Sequence, residues 1–202
     1  MVSLPAGAEL TLLTAPAQGR LRVSFFAAFA FLVREFQAEL AELGCPLSSF
    51  QTVDAELSAL PGSYDEPAGG GMWLCTVPLH TNGKDVPAVA GWCAELTLHL
   101  GCLGAHAVLG CVALRGVEGR PDAREVKRLI VTRSARGLGA GRALLRAAED
   151  GARARGARVA LLDSLGRLRA AATLYEREGW VPAPPYIHNP MGDALFFQKP
   201  LV

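Results

Sequence analysis

A glycine-rich loop between an apolar strand and a helix is the feature that most constrains how this chain can fold. The segment "SARGLGAGRALL", residues 134–145, follows the apolar run "LIV" and leads into apolar residues at helical spacing. The first N–H groups of a helix lack internal partners, and the helix dipole adds about half a positive charge there. Gly137, Gly139 and Gly141 allow a ligand to approach this backbone closely. The loop therefore predicts a phosphate site, although glycines alone fit a simple strand-to-helix turn equally well.

The hydrophobic pattern around this loop predicts one mixed α/β (α+β) domain. Apolar runs of strand length, bounded by Gly and Pro, predict strands. These cover residues 9–14, 72–77, 107–115, 123–131, 157–163, 180–186 and 194–201, with at least one more strand between residues 88 and 107. Helical spacing predicts helices over residues 21–43, 52–60, 139–155 and 167–179. The order of these elements indicates a single sheet that is flanked by helices on both faces.

Length, charge and hydropathy exclude several classes of protein. A chain of 202 residues is long enough for one compact domain and short for two. Its net charge of +1 gives no basic surface for a nucleic acid or an anionic membrane. The most apolar stretch, "FFAAFAFLV", ends before Arg34 and is too short to span a bilayer. No secretory signal pattern is evident at the start of the sequence, so we expect a cytoplasmic protein.

Cysteine usage gives no sign of a disulfide framework or a metal site. The five cysteines are an odd number and include no C-x-x-C pair. Cys93, His99, Cys102 and His106 are potential metal ligands that lie close together in the sequence. Their spacing matches no familiar zinc pattern, and apolar residues surround them. We therefore expect buried thiols and ordinary histidines, and no metal.

Two kinds of phosphate-binding loop compete as interpretations of residues 136–141. A strand, a glycine loop, a helix and a later strand that ends at Asp163 superficially match the dinucleotide-binding fingerprint. That fingerprint, G-x-G-x-x-G, requires glycine directly after the strand and a small residue at its third glycine position. Here "TRSAR" intervenes and Arg142 occupies the third position. The form R-x-x-G-x-G, by contrast, resembles the pyrophosphate loop of the GNAT superfamily of acetyl-CoA-dependent N-acetyltransferases.

The resemblance to GNAT proteins extends over residues 21–201. "EVKRLIV" resembles the central strand of that family, and "AAATLYEREGW" resembles its helix that ends in a tyrosine and a glycine–aromatic pair. "VKRLIV" and "PPYIHNPMGDALFF" are similar to one branch of small bacterial and fungal members. The resemblance implies the GNAT fold, a twisted, mixed and mostly antiparallel sheet, in a single domain over residues 1–202. It also implies an insertion at about residues 78–107, where the branch has a tight hairpin.

The resemblance further implies that acetyl-CoA lies between the central strand and the strand that follows the next helix. The backbone of Leu129, Ile130 and Val131 would then hydrogen-bond the pantetheine arm. The loop amides would hold the pyrophosphate and the arginine side chains would add positive charge, although Arg142 fits a solvated helix position equally well. The implied cofactor-binding residues are Leu129, Ile130, Val131, Arg136, Gly137, Leu138, Gly139, Ala140, Gly141 and Arg142.

The same resemblance implies two catalytic residues, Glu125 and Tyr175. An amine is mostly protonated near pH 7 and must lose a proton before it attacks a thioester, a step that Glu125 would assist directly or through water. Tyr175 would protonate the departing thiolate, and the N–H of Ile130 or its neighbour would stabilise the carbonyl oxygen. The alternatives are a salt bridge from Glu125 to Lys127 and a buried structural hydroxyl for Tyr175. Secondary candidates for the walls of the site are Asp163, Ser164, Tyr186 and His188.

Three functions are consistent with these features. The favoured one is the transfer of an acetyl group from acetyl-CoA to a primary amine of a small molecule or peptide by direct attack. The alternatives are a module that binds acyl-CoA without catalysis and a nucleotide-dependent oxidoreductase. We expect a small-molecule or peptide amine as the partner, and no nucleic acid or membrane.

Overall fold

The computed structural model describes residues 11–14, 20–46, 56–60, 62–64, 69–81, 84–85, 97–99 and 105–201. In these residues the strands are β1 (Thr11–Thr14), β2 (Gly71–Pro78), β3 (His80–Thr81), β4 (Lys84–Asp85), β5 (Thr97–His99), β6 (Ala105–Val117), β7 (Arg120–Val131), β8 (Val159–Leu165), β9 (Val181–Pro182) and β10 (Ala194–Pro200). The α-helices with resolved bounds are α1 (Arg20–Glu42), α2 (Ala140–Ala154) and α3 (Arg169–Arg177). Short 3-10 turns cover Gly62–Tyr64 and Arg133–Ala135.

A mixed sheet forms the centre of the molecule. Within the described residues, eight strands belong to it. They lie in the order β1-β2-β6-β7-β8-β10-β9, and β5 pairs with the first residues of β6. The described pairings in this sheet are antiparallel except that of β7 with β8. This confirms the prediction of a mixed, mostly antiparallel sheet.

Side chains from the two faces of the sheet form two hydrophobic cores, because successive residues of a strand point to opposite faces. The first core packs α2 and α3 on one face and includes the fully buried Leu144 and Leu162. The second core packs α1 on the other face and includes the fully buried Phe29 and Leu74. The two cores confirm that helices cover both faces.

Helix α1 confirms the helix predicted over residues 21–43. Phe25, Phe29 and Leu32 recur at spacings of four and three residues and are buried against the sheet. The helix ends before Gly44, whose φ of 78° lies in the left-handed region that glycine adopts without strain. Arg167 donates to the Leu43 carbonyl at 3.1 Å and so satisfies one of the last acceptors. No helix among the described residues combines the length and apolar character that a membrane span requires.

The strand predicted over residues 180–186 is wrong for most of its length. β9 covers only Val181–Pro182, which pair with Phe197 and Gln198 of β10. The prolines that follow it lack the N–H group that a sheet ladder requires. Residues 183–191 therefore form a segment without strand or helix, here called the PPY loop.

The segment between β2 and β6 contains a short β3–β4 pairing and strand β5. β5 confirms the expectation of at least one strand there. Of the potential metal ligands, Cys93 and Cys102 lie outside the described residues. His106 is buried, and its Nδ1 lies 3.1 Å from the Thr76 hydroxyl.

Candidate active site

A gap opens between β7 and β8 beyond Glu125. The two strands run parallel and pair only where Ala123–Glu125 lie beside Val159–Leu161. β7 then continues along β6 to Val131, whereas β8 continues along β10 to Leu165. In the described part of the chain, the facing backbone edges of both strands have no ladder partner past this point. An extended ligand could hydrogen-bond with these edges as a strand does.

The backbone of β7 directs polar groups into this gap at alternate residues. Thr132 donates to the Leu109 carbonyl of β6 at 2.9 Å, and Ile130 pairs within the same ladder. Because N–H groups alternate along a strand, the N–H of Val131 points away from β6 and into the gap. The side chains of Leu129 and Val131 pack on the first core and that of Ile130 on the second, so the alternation continues to Leu129. Of the three predicted backbone contacts, Leu129 and Val131 face the gap, and Ile130 faces β6.

The predicted glycine loop connects the end of β7 to α2. Gly139 is the N-cap residue of α2 with a φ of 89°, and Gly137 has a φ of 86°. Residues with a Cβ are strained in this left-handed region, so the loop conformation depends on glycine. No side chain caps the helix, which leaves the first-turn N–H groups of α2 free for a ligand. Leu138 and Ala140, by contrast, place their side chains in the first core.

The loop lies at the open end of the gap. A Cβ on Gly141 would lie 3.3 Å from Leu174 of α3 and 3.6 Å from Val131. The start of α2, the end of β7 and α3 therefore meet around Gly141. The backbone amides predicted to bind an anion are adjacent to the backbone edge predicted to bind an extended arm.

Two ion pairs connect the loop to α1. Arg136 donates from Nη1 and Nη2 to the two carboxylate oxygens of Glu39 at 2.8 and 2.6 Å. Arg133 pairs with Glu42 and lies 3.7 Å from Glu39. The hydrogen bonds from Arg136 are the main reason that the pKa of Glu39 lies below its usual value. The positive charge predicted beside the loop is present, and a carboxylate balances it.

Arg142 lies on the opposite side of the loop and is also ion-paired. Arg142 and Arg146 bind the two carboxylate oxygens of Glu178 at 2.7 and 2.9 Å. Burial acts to raise the pKa of Glu178, but the two guanidinium groups outweigh it and lower the pKa. Because Glu178 is the C-cap residue of α3, these contacts join the first turns of α2 to the end of α3.

Glu125 lies where the gap begins, on the face of the sheet that carries α1. Only 2% of its surface is exposed. Arg115 donates from Nε to Oε2 at 2.6 Å, and the Tyr186 hydroxyl donates to Oε1 at 2.9 Å. The salt bridge to Lys127 that the sequence left as an alternative is present, with 3.5 Å between Nζ and Oε1.

Lys127 links Glu125 to Asp163 of β8. Its Nζ lies 2.7 Å from Asp163 Oδ1, and Asn189 donates to Asp163 Oδ2 at 2.8 Å. Burial acts to raise the pKa of Asp163, but the charge of Lys127 and the hydrogen bonds from Lys127 and Asn189 together lower the pKa. The PPY loop is thus attached to β7 through Tyr186 and to β8 through Asn189. The set formed by Arg115, Glu125, Lys127, Asp163 and Tyr186 is here called the Glu125 cluster.

Tyr175 lies on the other face of the sheet, in the first core. It is nearly buried, and its ring centroid lies 6.2 Å from that of Trp180 and 5.4 Å from that of Phe197. Ser164 of β8 hydrogen-bonds its hydroxyl. Burial, followed by the negative charge of Asp163, raises the pKa of Tyr175, so the phenol is protonated at neutral pH. The two predicted catalytic side chains therefore lie on opposite faces of the sheet. Strand β8 contributes a residue on each face, because Asp163 belongs to the Glu125 cluster and Ser164 hydrogen-bonds Tyr175.

Two members of the site were missed by sequence reasoning. Arg115 faces Glu125 in the β6–β7 hairpin, and counting back from the predicted turn could have indicated this pairing. Asn189 gave no local signal, because its contact depends on the path of the PPY loop. Of the secondary candidates, Asp163 and Tyr186 join the Glu125 cluster and Ser164 binds Tyr175. His188 is exposed.

A family model described as an acetyltransferase (GNAT) domain matches residues 92–182. That match includes β6, β7, the glycine loop, α2, β8 and α3, so this part of the chain is similar to the GNAT superfamily. The match and a relative named as an N-acetyltransferase support acyl transfer in general, and GNAT acetyltransferases use acetyl-CoA. These findings favour acyl transfer over the oxidoreductase alternative. The sheet agrees with this, because a dinucleotide-binding fold has a mostly parallel sheet and this one is mostly antiparallel.

Two curated relatives are acetyltransferases. An uncharacterized N-acetyltransferase of Schizosaccharomyces pombe is 29% identical over 170 residues, which cover 84% of this chain and 85% of that protein. An IAA acetyltransferase of Azospirillum brasilense is 37% identical over 97 residues, which cover 46% of this chain and 61% of that protein.

Solved structures show the same fold. An acetyltransferase from Streptococcus agalactiae superposes with a TM-score of 0.62 at 15% identity, over 96% of this chain and 99% of that one. A putative acetyltransferase from Salmonella typhimurium, solved with its cofactor acetyl-CoA, superposes with a TM-score of 0.58 at 17% identity. That likeness covers 96% of this chain and 95% of the other. The GNAT fold predicted from the sequence is confirmed.

Proposed function

We propose that this GNAT protein transfers an acetyl group from acetyl-CoA to the primary amine of a small molecule or peptide by direct attack. One observation carries the proposal: the gap between β7 and β8 has a loop of uncapped amides at one end and Glu125 at the other. A donor that lies in this gap with its pyrophosphate at the loop would bring its thioester toward Glu125.

Backbone groups supply most of the donor site in this proposal. Leu129 and Val131 hydrogen-bond the pantetheine arm along the edge of β7. The amides of residues 136–141 and the dipole of α2 hold the pyrophosphate. Because the N–H of Ile130 faces β6, we assign the contact with the carbonyl oxygen to Leu129 or Val131. Arg136 and Arg142 add positive charge beside the loop, and Glu39 and Glu178 limit its strength.

Glu125 accepts the proton of the amine through Tyr186. Both oxygens of Glu125 already accept hydrogen bonds, and the side chain is buried. Tyr186 is only half-buried, and its hydroxyl reaches Glu125 from the PPY loop. As the amine gives its proton to the Tyr186 oxygen, Tyr186 passes its own proton to Glu125. Burial, and then the charge of Glu125, raises the pKa of Tyr186, so its hydroxyl carries the proton that this relay requires.

Tyr175 acts on the leaving group. The amine nitrogen forms an amide bond with the carbonyl carbon as the carbon–sulfur bond breaks, and the thiolate needs a proton. The raised pKa of Tyr175 keeps its phenol protonated, and Ser164 orients the hydroxyl. Because Glu125 and Tyr175 lie on opposite faces, the acceptor approaches from the face of α1 and the donor sulfur lies toward α3.

Titration calorimetry with coenzyme A, followed by a thiol-release assay, tests the proposal. We expect saturable binding of coenzyme A, and release of free thiol from acetyl-CoA when members of a panel of primary amines are added. An absence of saturable heat at millimolar coenzyme A contradicts the proposal. The cytoplasmic location, the single domain and the absence of nucleic-acid partners stay predictions of the sequence.

A further inference from the structure

Strand β7 contains a strained bulge between the Glu125 cluster and the gap. Among the described residues, Arg128 alone combines a side chain with a φ in the left-handed region, at 56°. The ladder with β6 is irregular at this point, so that Arg128 and Leu129 together lie opposite Val112. Such a bulge changes the direction of the strand that contains it. The left-handed conformation is unfavourable for arginine and persists only where surrounding contacts hold it.

Glu56 supplies those contacts. Arg128 donates from Nε to Glu56 Oε1 at 3.0 Å and from Nη2 to Glu56 Oε2 at 2.7 Å. The hydroxyl of Tyr64, a residue with 2% exposure, donates to Oε1 at 2.5 Å and fixes the carboxylate. Burial acts to raise the pKa of Glu56, but the hydrogen bonds and charge of Arg128 and the hydrogen bond from Tyr64 together lower the pKa. The thiol of Cys111 donates to the Arg128 carbonyl at 3.5 Å.

We infer that Glu56 is a positioning residue that holds the β7 bulge through its two hydrogen bonds with Arg128. The bulge directs the N–H groups of Leu129 and Val131 into the gap and sets their distance from Glu125. Without the ion pair, Arg128 relaxes out of the left-handed region and the backbone after it shifts. The inference rests on the proposed function in one respect, that the thioester lies against Leu129 and Val131.

A comparison of alanine with glycine at position 128 distinguishes a role of the ion pair in holding the bulge from a role in packing alone. Arg128→Ala removes the ion pair and leaves a residue that is strained at this φ, so we expect kcat to fall about tenfold. Arg128→Gly removes the same ion pair but adopts the left-handed region without strain, so we expect kcat to stay within about threefold of the native value. Glu56→Gln is expected to resemble Arg128→Ala. In the Arg128→Gly background, Glu56→Gln is expected to cost nothing more.

Two measurements on each variant test the inference, with Asp122→Asn at the exposed start of β7 as the control. Steady-state kinetics should show the loss in kcat with a KM for the amine that changes less than about twofold. Amide hydrogen exchange of Ile130 and Thr132, whose N–H groups face β6, should speed up without ligand in Arg128→Ala and Glu56→Gln and not in Asp122→Asn. Equal kcat in the Ala and Gly variants would overturn the inference, as would a loss confined to the KM of the amine.

The exchange measurement separates this inference from the proposed function. If the native protein fails to bind coenzyme A, the proposed function is wrong, and the exchange data still decide whether Glu56 holds the bulge. If coenzyme A binds and the exchange rates of Ile130 and Thr132 are the same in all variants, the positioning role is wrong and the proposed function stands.

Discussion

The glycine loop and the Glu125 cluster lie at opposite ends of the same gap and present polar groups in opposite ways. At the loop, the first-turn N–H groups of α2 have no capping side chain, and the arginines beside them are paired with Glu39 and Glu178. In the Glu125 cluster, every charged side chain already has a partner of opposite charge. The glycine loop can therefore donate hydrogen bonds to an anionic ligand, whereas the charges of the Glu125 cluster already balance one another without a ligand.

This difference indicates how the two ends act. Partnerless amides at a helix start gain hydrogen bonds when an anion binds, so the loop contributes affinity. A balanced, buried cluster offers little net attraction to a charged acceptor, so its contribution lies in moving a proton. We therefore expect changes at the loop to alter donor affinity, and changes in the Glu125 cluster to alter kcat.

Glu125→Gln gives the largest expected effect. The amide keeps the shape of the side chain and loses the ability to accept a proton, so turnover should fall about a hundredfold or more at neutral pH. The affinity for coenzyme A should change less than about twofold, because Glu125 lies away from the loop. Steady-state kinetics over a range of pH and calorimetry measure the two quantities. Turnover that stays unchanged at every pH would remove Glu125 from the mechanism.

Tyr186→Phe should have the second largest effect. Loss of the hydroxyl breaks the proposed relay to Glu125 and should lower kcat about thirtyfold. The Phe ring keeps the edge-to-face contact with Phe196, whose centroid lies 5.6 Å away, so the PPY loop should stay in place. His188→Ala, at an exposed residue of the same loop, is the control. A kcat that falls equally in both variants points to movement of the loop, and the relay is then wrong.

Gly139→Ala should weaken coenzyme A binding about tenfold. A methyl group there meets no atom within 4 Å, so its effect comes from the φ of 89°, which alanine adopts with strain. Gly119→Ala in the β6–β7 turn is a matched control, because Gly119 has a φ of 70° and equally open surroundings. Both variants should lose similar thermal stability. Only Gly139→Ala should bind coenzyme A more weakly in calorimetry. Equal affinities of the two variants for coenzyme A would contradict a role of the loop in binding the donor.

Glu39→Gln gives the smallest expected effect and one of opposite sign. It releases Arg136, so coenzyme A should bind about threefold more tightly, while the lost ion pair lowers stability by about 1 kcal/mol or less. The pKa of Glu39 is lowered in the folded protein, so its stabilising effect is present above its unfolded pKa of about 4.3 and disappears as the pH falls through the folded value. Melting curves of both proteins should therefore converge in acid. Glu42→Gln, whose partner is Arg133, tests whether the gain is specific to Arg136.

The local parts of the fold were predictable from the sequence. Helix α1, the β6–β7 hairpin and the loop at Gly137 and Gly139 each depend on residues that are close in the sequence. The prediction of a strand over residues 180–186 was wrong because it relied on the apolar residues of this segment, whereas its prolines cannot donate the hydrogen bonds of a sheet. Glu125 and Tyr186, by contrast, are 61 residues apart, and Arg128 and Glu56 are 72 apart. No periodicity within a segment indicates such pairs.

The sequence by itself determined the glycine loop before α2, because glycine positions and a helix start are local properties of the backbone. It also determined the two-faced sheet, through the alternation of apolar residues. Only the tertiary structure decided where β7 leaves β8, that Ile130 faces β6, and that Tyr186 reaches Glu125. These features depend on register and on side chains that meet across long stretches of chain, and a one-residue shift in strand pairing would change each of them.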